Sequence, residues 1–247
     1  MEAANLSHHI SSRYNEDLER LRNSVLQMGG VVEQQLADAV AALLSGDSQL
    51  AKQAAHRDHL INGLEVTIDE DCSRVLATRA PTASDLRLIV AVIKTITDLE
   101  RVGDEGEKVA YVATRLHSID RPKERYRELK HLGRLAIELL RGALDAYSRL
   151  GGPAAIANAL RDRQLDAEFE AVQRQCITFM MEDPRTIRRA LDVMMVARAL
   201  ERIGDHAKNI CEDFVYMVLG KDVRHRSLED VSAELEKRPH ANAGATD

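Results

Sequence analysis

Apolar residues recur at three- and four-residue steps along most of this chain, which is the period of an α-helix with one buried face. The stretch from Ser7 to Leu44 shows it first, with Leu18, Leu21, Val25, Met28, Val32, Leu36 and Val40 on one stripe. Ser45-Gly46-Asp47 closes that helix and caps the next, expected from Ser48 to Thr78 and ending before Pro81. A third helix starts within Pro81 to Arg87, with Ser84 and Asp85 in its first turn, and runs to Leu116. His117 to Arg125 is charged and contains Pro122, which makes it the best domain boundary. The pattern then repeats. A fourth helix is expected from Tyr126 to Leu150, with a stop and restart at Gly151-Gly152-Pro153. A fifth follows from Ala154 to Met181, and a sixth opens at Asp183-Pro184 and ends at Leu219 before Gly220. No segment alternates β-branched residues at a period of two, so the expected fold is all-α: two tandem three-helix bundles, six long helices in all, related by internal duplication. The repeats are placed at 1–118 and 119–220, followed by a polar, disordered tail over 221–247 with one weak helix near Leu228 to Lys237.

The duplication rests on a phrase that occurs twice, LERVGD from Leu99 to Asp104 and LERIGD from Leu200 to Asp205, 101 residues apart. Each copy is preceded at similar distance by a proline (Pro81, Pro184) and by an Asp in a polar stretch (Asp58, Asp162). Glu100 and Asp104 stand four residues apart and share a helix face, as do Glu201 and Asp205. Leu86, Ile89, Ile93 and Ile96 lead along one stripe to Glu100, and Ile187, Leu191, Met194 and Ala197 lead likewise to Glu201. The acids are therefore expected to continue the core-facing stripe, where an ionised carboxylate must be paired, protonated or bound to a metal. Gly103 and Gly204 lie inside helices, where glycine costs about 1 kcal/mol relative to alanine. Their repetition predicts close approach of another helix, a ligand or a metal.

Composition excludes several function classes. The net charge is −6 with both signs interleaved, and aromatics make up 3% of the 247 residues, so neither the basic stripe nor the stacking platform of a nucleic-acid binder is present. The amino terminus lacks the pattern of a signal peptide and the longest clean apolar run is Leu88 to Ile93, so neither a leader nor a membrane span is expected. Cys72, Cys176 and Cys211 are scattered and odd in number, which suits core thiols rather than disulfides or a CxxC metal site. No GxxxxGK[ST] loop is present for nucleotide hydrolysis. A di-iron oxidase site would need a histidine three residues after each glutamate, where this chain has Gly103 and Gly204.

The contexts TDLERVGDEGEKVA and RALERIGDHAKNICEDF, together with MGGVVEQQLADA, RAPTASDLRLIVAVIKT and FMMEDPRTI, resemble the PhoU family of phosphate-transport regulators, from about Ser7 to Arg226. The resemblance implies two three-helix bundles, frequent homodimers, and in some members metal ions held by the duplicated E(D)xxxD motif. It also implies a cytoplasmic, non-catalytic negative regulator that lies at the inner membrane only through its partners. Those partners would be the ATPase subunit of the phosphate ABC transporter and a sensor histidine kinase. The alternative class is a metal-binding bundle with storage or oxidase activity, and a scaffold without metal is a further one.

Glu100, Asp104, Glu201 and Asp205 are thus the candidate metal ligands. The plain reading, acids paired with Arg101 and Arg202, stands beside it; those arginines fall off the acid face and point instead to Asp98, Glu105 or a partner. All-oxygen ligation suits magnesium, manganese or iron better than a thiolate-preferring ion, and the chain does not distinguish among these and zinc. Glu33, Asp69 and Glu70 are further candidate ligands, while His56 and His59 read as exposed residues near a loop. Lys108 is placed as an internal counter-ion for Asp104, which would lessen the need for metal in the first bundle. The helix start at Ser84, Asp85 and Arg87 could receive an anion.

Overall fold

The computed structural model describes residues 12–79, 81–116, 127–149, 151–220, 222–223 and 226–236. Nine α-helices and no strand occur among them. The first half holds α1 (Ser12–Ser45), α2 (Ser48–His56), α3 (Asp58–Arg79) and α4 (Ala83–Leu116). The second holds α5 (Arg127–Arg149), α6 (Gly152–Leu160), α7 (Asp162–Glu182) and α8 (Ile187–Leu219), with a 3₁₀ turn at Pro184–Thr186 between the last two. A short α9 (Leu228–Glu236) follows. The expected start of the first helix at Ser7, the linker from His117 to Arg125 and the end of the chain beyond Glu236 lie outside the described residues.

The stripe on α1 is core as its period predicts: Leu18, Leu21, Val25, Met28, Val32 and Leu36 are fully buried and Val40 nearly so. Asp47 caps α2 as expected, accepting from the backbone N–H of Gln49 at 2.9 Å and of Leu50 at 3.0 Å. Gly46 (φ 74°) and Gly220 (φ 69°) take left-handed conformations at the ends of α1 and α8, which only glycine adopts without strain.

The second and fifth helices depart from expectation, because each is broken in two. At Arg57 the backbone N–H bonds to Gln53 and Ala54, and the carbonyl accepts from Leu60 at 3.0 Å, a tightened 3₁₀-like turn. Arg161 repeats this, donating to Asn158 and accepting from Gln164, both at 3.0 Å. Each break arginine is tied to the long helix before it: Arg57 pairs with Asp38 on α1, and Arg161 with Glu138 on α5 at 2.8 Å. The breaks make Asp58 and Asp162 the first residues of α3 and α7. Each three-layer bundle therefore contains a bent middle layer.

The halves join along two antiparallel pairs, α1 with α5 and α4 with α8. At the first, glycines on both sides let the backbones approach. A Cβ at Gly29 would overlap Leu144 Cδ2, and one at Gly133 would lie 2.9 Å from Val40 Cγ1. Gly29 and Val40 stand to Gly133 and Leu144 as the two halves stand to each other, so the contact is an internal pseudo-two-fold. Glu33 belongs to this junction rather than to any metal site, accepting from Arg141 Nε at 2.8 Å. Ion pairs cross the α4–α8 seam: Lys94 pairs with Asp213 at 3.2 Å, Glu105 with Arg202 at 2.9 Å, and Arg115 with Asp192 at 2.7 Å.

The helix expected near Leu228 to Lys237 is present as α9, packed on α6, and Val223 and Val231, in the stretch expected to be a disordered tail, are fully buried. The three cysteines are buried and unpaired in disulfides, as their scatter predicts. No helix among the described residues is long and apolar enough to cross a membrane.

Candidate functional site: two acidic faces

The two LER[VI]GD phrases lie back to back on α4 and α8. Arg202 and residues flanking the phrases bond across the seam. Asp98 holds the inner side of the first copy, meeting His206 Nδ1 at 2.8 Å and accepting from Asn209 at 3.2 Å. Arg202 reaches Glu105, as the sequence suggests, whereas Arg101 lies 3.7 Å from Glu100 and does not take Asp98.

The outer residues only partly follow the expected stripe. Leu86, Ile187 and Leu191 are exposed, Ile93 and Met194 are half-buried, and Ile89, Ile96 and Ala197 are buried. The stripe thus runs along the edge of the buried face. Because α4 and α8 pack on each other as well as on their own bundles, each carries an apolar arc wider than one stripe, and its rim reads as core in the sequence. Glu100 and Asp104 are half-buried, Glu201 is buried and Asp205 is exposed.

The start of the broken middle helix completes each face. Asp58 (7% exposed) sits over Gly103 and Asp162 (2% exposed) over Gly204. A Cβ at Gly204 would lie 3.0 Å from Asp162 Oδ1 and overlap Leu165 Cδ2, and one at Gly103 would lie 3.1 Å from Ile61 Cδ1 and 3.6 Å from Asp58 Oδ1. The repeated glycines therefore answer to close approach of α3 and α7 with their leading carboxylates. Asp58 and Asp162 were visible in the sequence as a repeated upstream acid. The break that turns them into site residues has no breaker residue to signal it.

The first face gathers Asp58, Glu65, Glu100, Asp104 and Glu107. Burial raises the carboxyls of Asp58, Glu65, Glu100 and Glu107 above their ordinary values, and the charge of Asp104 raises all four further. Asp58 Oδ2 accepts from the neutral Asn62 side chain at 3.0 Å, and its buried Oδ1 has no partner. The second face gathers Asp162, Asp166, Glu201 and Asp205. Burial raises Asp162, Asp166 and Glu201, with Asp205 adding to each and cations opposing: Lys208 at Asp162, Lys208 and Arg198 at Asp166, and Arg198 at Glu201. Lys208 Nζ stands 3.3 Å from Asp162 Oδ2 and Arg198 Nη1 2.8 Å from Glu201 Oε1. Asp162 Oδ1 and Glu201 Oε2 are buried without a partner.

The expected counter-ion is thereby corrected. Lys108 bonds Glu105 at 2.9 Å, three residues back on the seam side, and does not serve Asp104. The internal ammonium belongs to the second face. Asp69 adds repulsive charge at Glu65 and at Cys72, and Glu70 is exposed. His56 and His59 are exposed beside the Arg57 break, their rings edge to face at 5.4 Å. The α4 start serves itself: buried Asp85 accepts from Thr82 Oγ1 at 2.6 Å, which puts a carboxylate where an anion would sit.

Raised carboxyl values tie stability to pH. The folded chain holds protons on Asp58 and Glu100 more tightly than the unfolded chain, so their stabilising contribution is present at low pH and lost as pH rises through the folded values. The urea midpoint of Asp58→Asn/Glu100→Gln minus that of wild type is expected to grow as pH rises above the ordinary carboxylate values of about 4. A difference that stays flat would show that these groups titrate as they do in the unfolded chain.

As a donor set the faces suit a hard cation: all oxygen, with buried Asp58, Asp162 and Glu201 atoms lacking partners. As the side chains stand, no group of three His, Cys, Asp or Glu residues among the described ones is gathered closely enough to hold an ion.

A duplicated all-helical protein with a repeated acidic motif on each half is the class that fold and faces define. The family model for the PhoU domain matches residues 25–113 and again 129–214, so this chain belongs to the PhoU family. It is 46% identical over 238 residues to the phosphate-specific transport system accessory protein PhoU homolog of Pseudomonas putida, covering 96% of this chain and 93% of that one. It is 44% identical to the PhoU accessory protein of Escherichia coli K12 over 225 residues, 91% of this chain and 93% of that one. The crystal structure of PhoU from Pseudomonas aeruginosa superposes with a TM-score of 0.82 at 45% identity, covering 84% of this chain and 100% of that one. That of the phosphate transport system regulatory protein PhoU from Streptococcus pneumoniae gives 0.78 at 30% identity, covering 85% and 99%.

Proposed function

We propose that this protein is a negative regulator of the phosphate-starvation response. It couples the ATPase subunit of the phosphate ABC transporter to a sensor histidine kinase and restrains phosphate uptake when phosphate is plentiful. Its work is done by protein contact at the cytoplasmic side of the inner membrane, as a homodimer and without catalysis. Likeness to PhoU accessory proteins over nearly the whole chain supports the phosphate-regulatory part of this reading.

One observation favours contact over chemistry. Ile187, Leu191 and Met195 form an exposed apolar stripe at four-residue steps on α8, and Ile177 and Met181 are exposed on α7. Large apolar side chains in a row on the surface mark a protein interface. The acidic faces are the metal-assisted part of the proposal. Asp58, Glu100 and Asp104 would hold an ion at the first face and Asp162, Glu201 and Asp205 at the second. A divalent ion bound there supplies positive charge to buried carboxylates. The chain's own residues do the rest: Gly103 and Gly204 admit the α3 and α7 carboxylates, and the seam pair Glu105–Arg202 ties the two motif copies together.

The test is a phosphate-starvation reporter at high phosphate in cells lacking this gene. Wild type is expected to restore repression, and Glu100→Ala/Asp104→Ala/Glu201→Ala/Asp205→Ala at matched protein level is expected not to. Failure of wild type would sink the regulatory reading, and full repression by the variant would remove the acids from the switch.

A further inference from the structure

We infer that the exposed row Ile187, Leu191 and Met195 on α8, with the arginines beside it, docks an acidic amphipathic helix of a partner protein. This inference rests on the contact reading above and names the partner's chemistry at that surface.

The row has the width of one helix contact. At 100° per residue its three side chains fall within about 80° of arc and about 12 Å of helix. Each is between 43% and 53% exposed. Such a row matches the anchors at four-residue steps with which an amphipathic helix meets a neighbouring face. It is narrower than the apolar face of a helix that lies in a bilayer. Across the seam, Arg115 of α4 bonds Asp192 at 2.7 Å and stands 5.9 Å from the ring centroid of exposed Tyr111, so an aromatic side chain borders the same surface.

Charge selects the partner. The chain carries −6 overall, yet Arg185 to Arg202 holds five arginines against two acids, Asp192 and Glu201. Both acids are buried and already paired, with Arg115 and Arg198. Glu105, which faces this part of α8 from α4, is likewise buried between Lys108 and Arg202. Arg188, Arg198 and Arg202 fall within about 20° of the arc of the row, and neither acid does. Arg188 is exposed and makes no ion pair among the described residues, which leaves its guanidinium open to a carboxylate. An apolar row bordered by arginines, with the acids around it withdrawn and neutralised, complements a helix that sets its own apolar anchors between glutamates or aspartates.

The experiment measures binding of two fluorescent helical peptides to the full chain by anisotropy. One carries leucines at three- and four-residue steps with glutamates between them, and its twin has lysines in place of the glutamates. Wild type is expected to bind the acidic peptide at least about 10-fold more tightly than the twin. Arg188→Glu should weaken the acidic peptide by about 10-fold or more and narrow its lead over the twin, and Leu191→Asp should weaken both. Residues 188 and 191 are exposed, and circular dichroism confirms that each variant is folded. Flotation with phosphatidylglycerol vesicles and sedimentation of the free chain test the other occupants. Failure of the acidic peptide to bind, equal affinity for the twin, vesicle binding that is lost in Arg188→Glu, or a change of oligomeric state in Leu191→Asp would each overturn the inference. The contact reading is tested separately by recovery of the transporter ATPase subunit and the kinase from cells, and it falls only if wild type recovers neither.

Discussion

Phe214→Ala is expected to lower the stability of the folded chain by about 3–5 kcal/mol, the cost of emptying a large aromatic site that cannot collapse. Phe214 is 1% exposed on α8 and meets Tyr147 of α5 edge to face, with ring centroids 6.1 Å apart. That pair lies close to the junction of the halves. Ser148 beside it accepts a hydrogen bond from Arg22 of α1, and Cys72 of α3 is near enough to bear on the Tyr147 hydroxyl. Truncation would remove the aromatic contact and leave buried Tyr147 facing a void, with long helices on both sides that cannot close on it. Urea unfolding should show a lower midpoint with an unchanged slope. A loss below about 1 kcal/mol would mean that the junction repacks and that Phe214 is not its anchor.

Gly204→Val is expected to cost about 2–3 kcal/mol, as overpacking does in a close-packed core. Even a Cβ there would overlap Leu165 Cδ2 and lie 3.0 Å from Asp162 Oδ1, and valine adds two methyl groups in the same space. Leu165 is fully buried, so α7 must move away from α8, carrying Asp162 from Lys208. Gly103→Val should cost less, because the nearest atoms at 3.1 and 3.2 Å are the methyl ends of Ile61. The comparison is read by thermal unfolding of both variants. Equal losses would show that the two halves are packed alike at their motifs.

These two sites also show what could be read from the chain. The core stripe of α1 was legible because a long helix with one buried face repeats its apolar residues at a single period. The motif helices were less so: α4 and α8 each bury more than one face, so Leu86, Ile187 and Leu191 carry the period of core residues while lying exposed. The breaks at Arg57 and Arg161 left no mark, since neither glycine nor proline stands at them and the turns are tied by Asp38 and Glu138 from other helices. The four motif acids were legible through their repetition. Their surroundings were not, because the choice of Lys108 for Glu105 over Asp104 depends on which side of α4 faces the seam, and that is set by α8.

The central claim is that the protein acts by touching the phosphate transporter and the kinase. Its most direct test is affinity purification of the full chain from membranes of phosphate-replete cells, with the transporter ATPase subunit and the sensor kinase followed by mass spectrometry. The account predicts that both are recovered with wild type and that an Ile187→Asp/Leu191→Asp variant, folded by circular dichroism, loses at least one of them. Recovery of neither protein with wild type would contradict it.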